Sequence, residues 1–169
     1  MPRAQDFTHG RSTIGLLALL VLVASCTLER TAMDATRLHD FAVRYTAAWC
    51  SQNAASVAAF FAPQGSLKVN DGSPAVGRTA ITATAQGFMT AFPDIVVKMD
   101  RLVVSGAKLE YHWTLTGTNT GPGGTGRAVR ISGFEVWRFD SDGLIAESIG
   151  QFDAAEYARQ LAAPAFVPR

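Results

Sequence analysis

The stretch RISGFEVWRFDSDGLI, Arg130 to Ile145, holds a single carboxylate where chemistry would need one. If side chains alternate along a strand, Ile131, Gly133, Glu135, Trp137 and Phe139 share a face, and Glu135 is its only charge. A carboxyl group among apolar side chains loses hydration, which favours its protonated form and raises its pKa. That is the condition for a general acid or base working near neutrality. Gly133, one step along the same face, removes a side chain and leaves room for a ligand. A buried Glu that is merely satisfied by a neighbour is the competing reading, because structural pairs perturb carboxylates too.

Other residues of chemical interest gather around this one. Trp113 and Asn119 fall on the apolar face of the preceding strand, and Asn119 could donate a hydrogen bond to a developing oxyanion. Tyr45 and Trp49, from an early helix, and Trp137 are expected in the pocket wall. Asp153 ends the last strand and either approaches the pocket rim or caps the closing helix. His112 shares a face with Lys108, Glu110 and Thr114, which puts it on the opposite side of the sheet. His39 stands beside Asp40 in a solvated position. With His9, these are the only histidines, at no ligand spacing, so no metal site is expected. The run GPGGTG, Gly121 to Gly126, lacks the Lys-Ser/Thr of a phosphate loop and leads into a strand; it reads as a hairpin tip, free to close over the pocket mouth.

The elements that must position these groups follow from periodicity. Leu38, Phe41, Tyr45, Ala48 and Trp49 recur at three- and four-residue spacings, one face of an amphipathic helix that Asp34 could cap. AASVAAFFAP continues as a short second helix stopped by Pro63, and GSLKVNDGSPAVG reads as a strand, a turn at Asn70-Asp71-Gly72 and a short return. A third helix carries Ile81, Ala85, Phe88 and Phe92 on one side and closes at Pro93. The period then changes to two. Residues 94–104, 108–119, 128–140 and 144–153 form four successive strands, with a hairpin turn at Asp140-Ser141-Asp142-Gly143. AAEYARQL adds a last helical turn or two. Helices first and a meander of long strands afterwards predict an α+β fold, its helices packed on one face of a curved, mostly antiparallel sheet.

The start of the chain has its own logic. Arg3 and Arg11 precede an uninterrupted apolar run, Ile14 to Ser25, of twelve residues. A helix needs about 20 residues to cross a bilayer core, so this run reads as a secretory signal instead. It ends Val23-Ala24-Ser25-Cys26, which resembles the lipobox of bacterial lipoproteins and implies cleavage before Cys26 with lipid attached to its sulfur. Residues 1–25 are thus expected as signal, 26–33 as a tether and 34–162 as the domain. Thr27 stands where the inner-membrane retention signal would put an aspartate, so an outer-membrane anchor facing the periplasm is expected. A start at Met33 would instead leave the domain cytoplasmic. Without the signal the chain carries 13 basic and 13 acidic residues. That neutrality, with no basic stripe, argues against nucleic acid. Cys50, the one other cysteine, is expected as a small buried residue on the first helix.

Several of these residues carry a resemblance. Gly117-Thr118-Asn119-Thr120-Gly121, Thr125-Gly126-Arg127, Gly133-Phe134-Glu135, Arg138, Asp142-Gly143, Ile145, Glu147 and Asp153 resemble the SnoaL-like polyketide cyclase family of the nuclear transport factor 2-like superfamily. The likeness extends to Tyr45 and Trp49, Gly77-Arg78 and Phe92-Pro93-Asp94, across residues 34–160. It implies a cone-shaped barrel in which three amino-terminal helices pack on the concave face around a deep pocket, working without metal or organic cofactor. In those cyclases an aspartate acts as acid/base at the position of Glu135, and a histidine often stands where this chain has Asn119. The family's terminal Glu-His-Trp becomes Glu147-Ser148-Ile149. The resemblance therefore implies a small hydrophobic ligand and isomerisation, cyclisation or hydration by Glu135, or a binding module on the same fold. It also implies a homodimer through the outer face, with Thr114, Thr116, Ser132, Phe134 and Val136.

Overall fold

The computed structural model describes residues 35–105 and 108–162. The expected signal, Cys26, the tether and Asp34 lie outside these residues. Every strand of the sheet lies within residues 39–162.

Helix α1 runs over residues 35–50. Its Phe41, Ala42, Tyr45, Ala48 and Trp49 are all buried, the one-sided stripe that the spacing predicts. Helix α2, Ala54–Ala58, follows at once. It does not continue to Pro63: strand β1 covers Phe61–Val69 with Pro63 inside it. The ladder explains how a proline is accommodated there. The pairing of β1 with its neighbour slips between Phe61 and Ser66, so the missing N–H of Pro63 falls where no ladder bond is made. Burial of Phe61 against Ile145 overrides the helical reading of this segment. After the turn at Asn70, which takes a left-handed φ of 48°, β2 (Ala75–Val76) leads into helix α3, Gly77–Ala91.

Four long strands follow, β3 (Val96–Ser105), β4 (Lys108–Thr118), β5 (Ala128–Phe139) and β6 (Ile145–Phe152), then helix α4, Ala154–Ala162. They join one curved, unclosed sheet in the order β2-β1-β6-β5-β4-β3, antiparallel except where β1 runs parallel to β6. The α+β, cone-like architecture expected from the sequence is the one observed. The Asp-Gly turn between β5 and β6 rests on Asp140, whose Oδ1 accepts the amides of Asp142 and Leu144, while Gly143 supplies a φ of 75°.

The inner face of the sheet reads Leu109, Tyr111, Trp113 and Leu115 on β4, and Val129, Ile131, Glu135 and Trp137 on β5. Register sets Tyr111 opposite Glu135 and Leu115 opposite Ile131. Helix α1 lays Phe41 and Tyr45 over the far end of this face. Tyr45 meets Trp137 edge-on at 5.0 Å, and Tyr111 stacks on Trp137 at 4.8 Å. Such aromatic pairs add about 0.5–1.5 kcal/mol each beyond their buried area. They make one end of the cone solid and leave the other end less filled.

Candidate functional site

Glu135 sits in the middle of the sheet, only 6% exposed, between Tyr111 of β4 and Gly150 of β6. Three donors converge on one of its oxygens. Oε2 accepts hydrogen bonds from the Tyr45 hydroxyl at 3.0 Å, the Trp137 indole N–H at 2.9 Å and the Ser148 hydroxyl at 2.6 Å. Each donor is delivered by a different device. Tyr45 reaches over from α1, Trp137 lies two residues along the same strand face, and Ser148 is paired with Trp137 across the β5–β6 ladder. The other oxygen, Oε1, accepts no hydrogen bond from the described residues and is not sealed from solvent-sized contact.

An indole N–H can only donate, so Oε2 accepts from Trp137 in either protonation state, while Oε1 has no partner among the described residues and is the freer oxygen for a proton. Burial pushes the Glu135 pKa up; the donors Ser148, Trp137 and Tyr45 pull against it without cancelling it, and no basic side chain takes part. Burial and the charge of Glu135 push Tyr45 well up as well, so it stays a donor through the neutral range. Tyr111 is also raised, by burial first. Its hydroxyl meets Thr46 Oγ1 at 2.7 Å, and Thr46 gives its own proton to the Ala42 carbonyl, so Tyr111 donates to Thr46 and takes no part in holding Glu135.

Glu135 opens onto a small cavity of about 50 Å³. The helices contribute Trp49 and Phe88, and the sheet contributes Tyr111, Trp113, Leu115 and Phe152 among others, with Glu135 the one charged residue in the lining. Trp113 brings a further feature: its indole N–H is buried with no acceptor among the described residues.

The structure brings together Glu135, Tyr45, Trp49, Trp113 and Trp137, and separates out the rest of the expected set. Tyr45 and Trp137 are core rather than lining, the Tyr45 hydroxyl and the Trp137 N–H being spent on Glu135. Gly133 does not make room for a ligand. A Cβ there would meet the Gln151 carbonyl and lie 2.6 Å from Trp113 Cζ2, so its missing side chain admits the indole. Asn119 lies outside the cavity lining: its amide donates to the Ala91 carbonyl at 3.2 Å, and its oxygen accepts the Thr125 amide at 2.8 Å. These bonds, with Gly121 N–H to the Ala91 carbonyl, pin the glycine-rich loop to the end of α3, so it is no free lid. Asp153 is exposed and accepts the Glu156 amide at 2.9 Å, which makes it the cap of α4. His112 pairs with Glu110 at 3.0 Å and lies outside the lining. Cys50 is exposed rather than buried, its sulfur bonded to the backbone of Val97. Among the described residues no three of His, Cys, Asp and Glu gather as metal ligands would.

Sequence reasoning missed Ser148, and missed Tyr45 as a partner of Glu135. Counting back from the Asp-Gly turn, with Phe139 opposite Ile145, puts Glu147 opposite Trp137; the register shift between Arg138 and Phe139 puts Ser148 there instead.

A family model, SnoaL-like polyketide cyclase, matches residues 39–161. No curated protein matches the sequence. Among solved structures, a protein of ketosteroid isomerase-like fold from Catenulispora acidiphila, in complex with trimethylamine, is 15% identical with a TM-score of 0.65, over 76% of this chain and 97% of that one. A phenazine biosynthesis-related protein from Pseudomonas aeruginosa is 18% identical with a TM-score of 0.61, over 81% and 94%. SalBIII, an epoxide hydrolase/cyclase-like enzyme with a role in pyran ring formation in the polyether salinomycin, is 14% identical with a TM-score of 0.62, over 73% and 95%.

Proposed function

The chain belongs to the SnoaL-like polyketide cyclase family, and we propose that its cavity takes up a small hydrophobic molecule and that Glu135 exchanges a proton with it. One observation carries this reading. Three donors engage Oε2, Oε1 has no partner among the described residues, and Glu135 lines the apolar cavity. A carboxyl group held that way, with its pKa raised by burial, serves as a base when ionised and as an acid when protonated. Isomerisation, cyclisation and hydration each need such a group and no organic cofactor. The test is deuterium incorporation into a two-ring ketone with acidic C–H bonds, 2-tetralone, followed by NMR in D2O. Exchange above the buffer rate that disappears in Glu135→Gln supports the proposal. Equal exchange in both proteins contradicts it.

A second reading, a binder without turnover, is favoured by a different observation. Asn119 and Tyr111 spend their polar atoms on protein partners, so among the described residues the cavity offers no second acid/base group beside Glu135. Saturable uptake of 2-tetralone without exchange would select it.

The Val23-Ala24-Ser25-Cys26 motif after an apolar run supports a lipid anchor on Cys26 and an envelope location. Incorporation of labelled palmitate in the producing bacterium, lost in Cys26→Ser, is the expected result. Pairing of two copies across the outer sheet face is supported by the half-buried Phe134 and Val136 there; a monomer mass at micromolar concentration would contradict it.

A further inference from the structure

The walls around Glu135 are suited to a charge that the site itself lacks. Five rings line the cavity: Trp49 and Phe88 from the helices, and Tyr111, Trp113 and Phe152 from the sheet. Trp49 meets Phe88 edge-on at 6.0 Å, and Trp113 meets Phe152 at 6.3 Å, so each wall carries rings set at steep angles to each other. Among the described residues no basic side chain lines the cavity. Meanwhile the donors on Oε2 are those an anion wants: a tyrosine hydroxyl, an indole N–H and a serine hydroxyl, all aimed at one oxygen. A carboxyl group that was only ever neutral would need no such set. The arrangement prepares a carboxylate, stabilises it from behind, and leaves its front without a counter-charge in aromatic surroundings.

We infer that the preferred occupant is a small hydrophobic amine in its protonated form, its N–H bonded to Glu135 Oε1 and its alkyl groups against the rings of Trp49, Phe88, Trp113 and Phe152. This rests on the cavity being a small-molecule site, and it names the class of molecule. The ammonium supplies the missing positive charge as a charge-assisted hydrogen bond, and the ring quadrupoles attract the polarised carbons around the nitrogen. A neutral hydrocarbon of the same shape gains only the apolar contact.

The deciding experiment is calorimetric titration of the full chain at pH 7.5 with N,N-dimethylbenzylamine and with its neutral isostere isobutylbenzene, repeated on Glu135→Gln. The amine is expected to bind wild type at least about tenfold more tightly than the isostere. That preference is expected to vanish in the Gln variant while isobutylbenzene binding, which reports an intact cavity, is retained. If isobutylbenzene binds wild type as tightly as the amine, the amine assignment is overturned while the small-molecule site stands. If neither compound binds wild type, both fall. Should the Gln variant not fold, the wild-type comparison alone decides.

Discussion

At the scale of single residues, the site reduces to a carboxyl group with one clamped oxygen and one open one. Removing the shortest of the three hydrogen bonds, in Ser148→Ala, takes away the largest of the influences that lower the Glu135 pKa. The midpoint of the Glu135 side-chain carbon signal in an NMR titration is therefore expected to move up, with a stability loss of about 1–3 kcal/mol. Glu135→Ala should be far worse than Glu135→Gln. It leaves Tyr45, Trp137 and Ser148 without an acceptor and opens a void, and each unsatisfied buried donor costs about 1–3 kcal/mol. Glutamine keeps an oxygen at the clamped position, so urea denaturation should separate the two variants clearly.

At the scale of elements, the site exists because strand register and one helix agree on a point in space. Helix α1 is tied to β5 through Tyr45, so Tyr45→Phe should lower stability by about 1–2 kcal/mol and speed amide exchange along residues 41–49, as hydrogen-exchange NMR would show. Gly133→Ala should destabilise by about 1–3 kcal/mol through overpacking against Trp113 and the Gln151 carbonyl, measured by the same urea denaturation. Asn119→Ala should loosen the loop at Thr125 and Gly126, where hydrogen exchange would rise. The period-two pattern of β4 and β5 was legible in the sequence, and so was Glu135 on their shared face. The role of Asn119 was not. Alternation put it on the inner face, but β4 ends at Thr118, and beyond a strand end side-chain direction no longer follows the pleat. The end of α2 was hidden too, because Ala-rich sequence favours helix and only contact with β6 makes Phe61 begin a strand.

At the scale of the whole molecule, the sequence conveyed the α+β class and the helices-over-sheet arrangement, since both follow from where the period changes. It could not convey the parallel pairing of β1 with β6, which joins segments some 80 residues apart and leaves no local signature. That pairing completes the wall: Leu67 and Val69 of β1 line the cavity beside Gly150. Stability as a function of pH reads out the burial of the carboxyl group across the whole fold. Burial raises the folded-state pKa of Glu135 above its unfolded value, so folding takes up a proton between the two. This group's contribution is therefore full at low pH, falls as pH rises through that interval, and stays flat above it. Glutamine cannot ionise and carries no such loss. Thermal unfolding of residues 33–169, wild type against Glu135→Gln, at pH 5 and pH 8 is the direct measurement. Gln is predicted to raise the melting temperature, and by more at pH 8, because no cation compensates the buried charge. A variant that melts lower than wild type at pH 8 would mean the carboxylate is structurally paired, and would contradict an uncompensated Glu135.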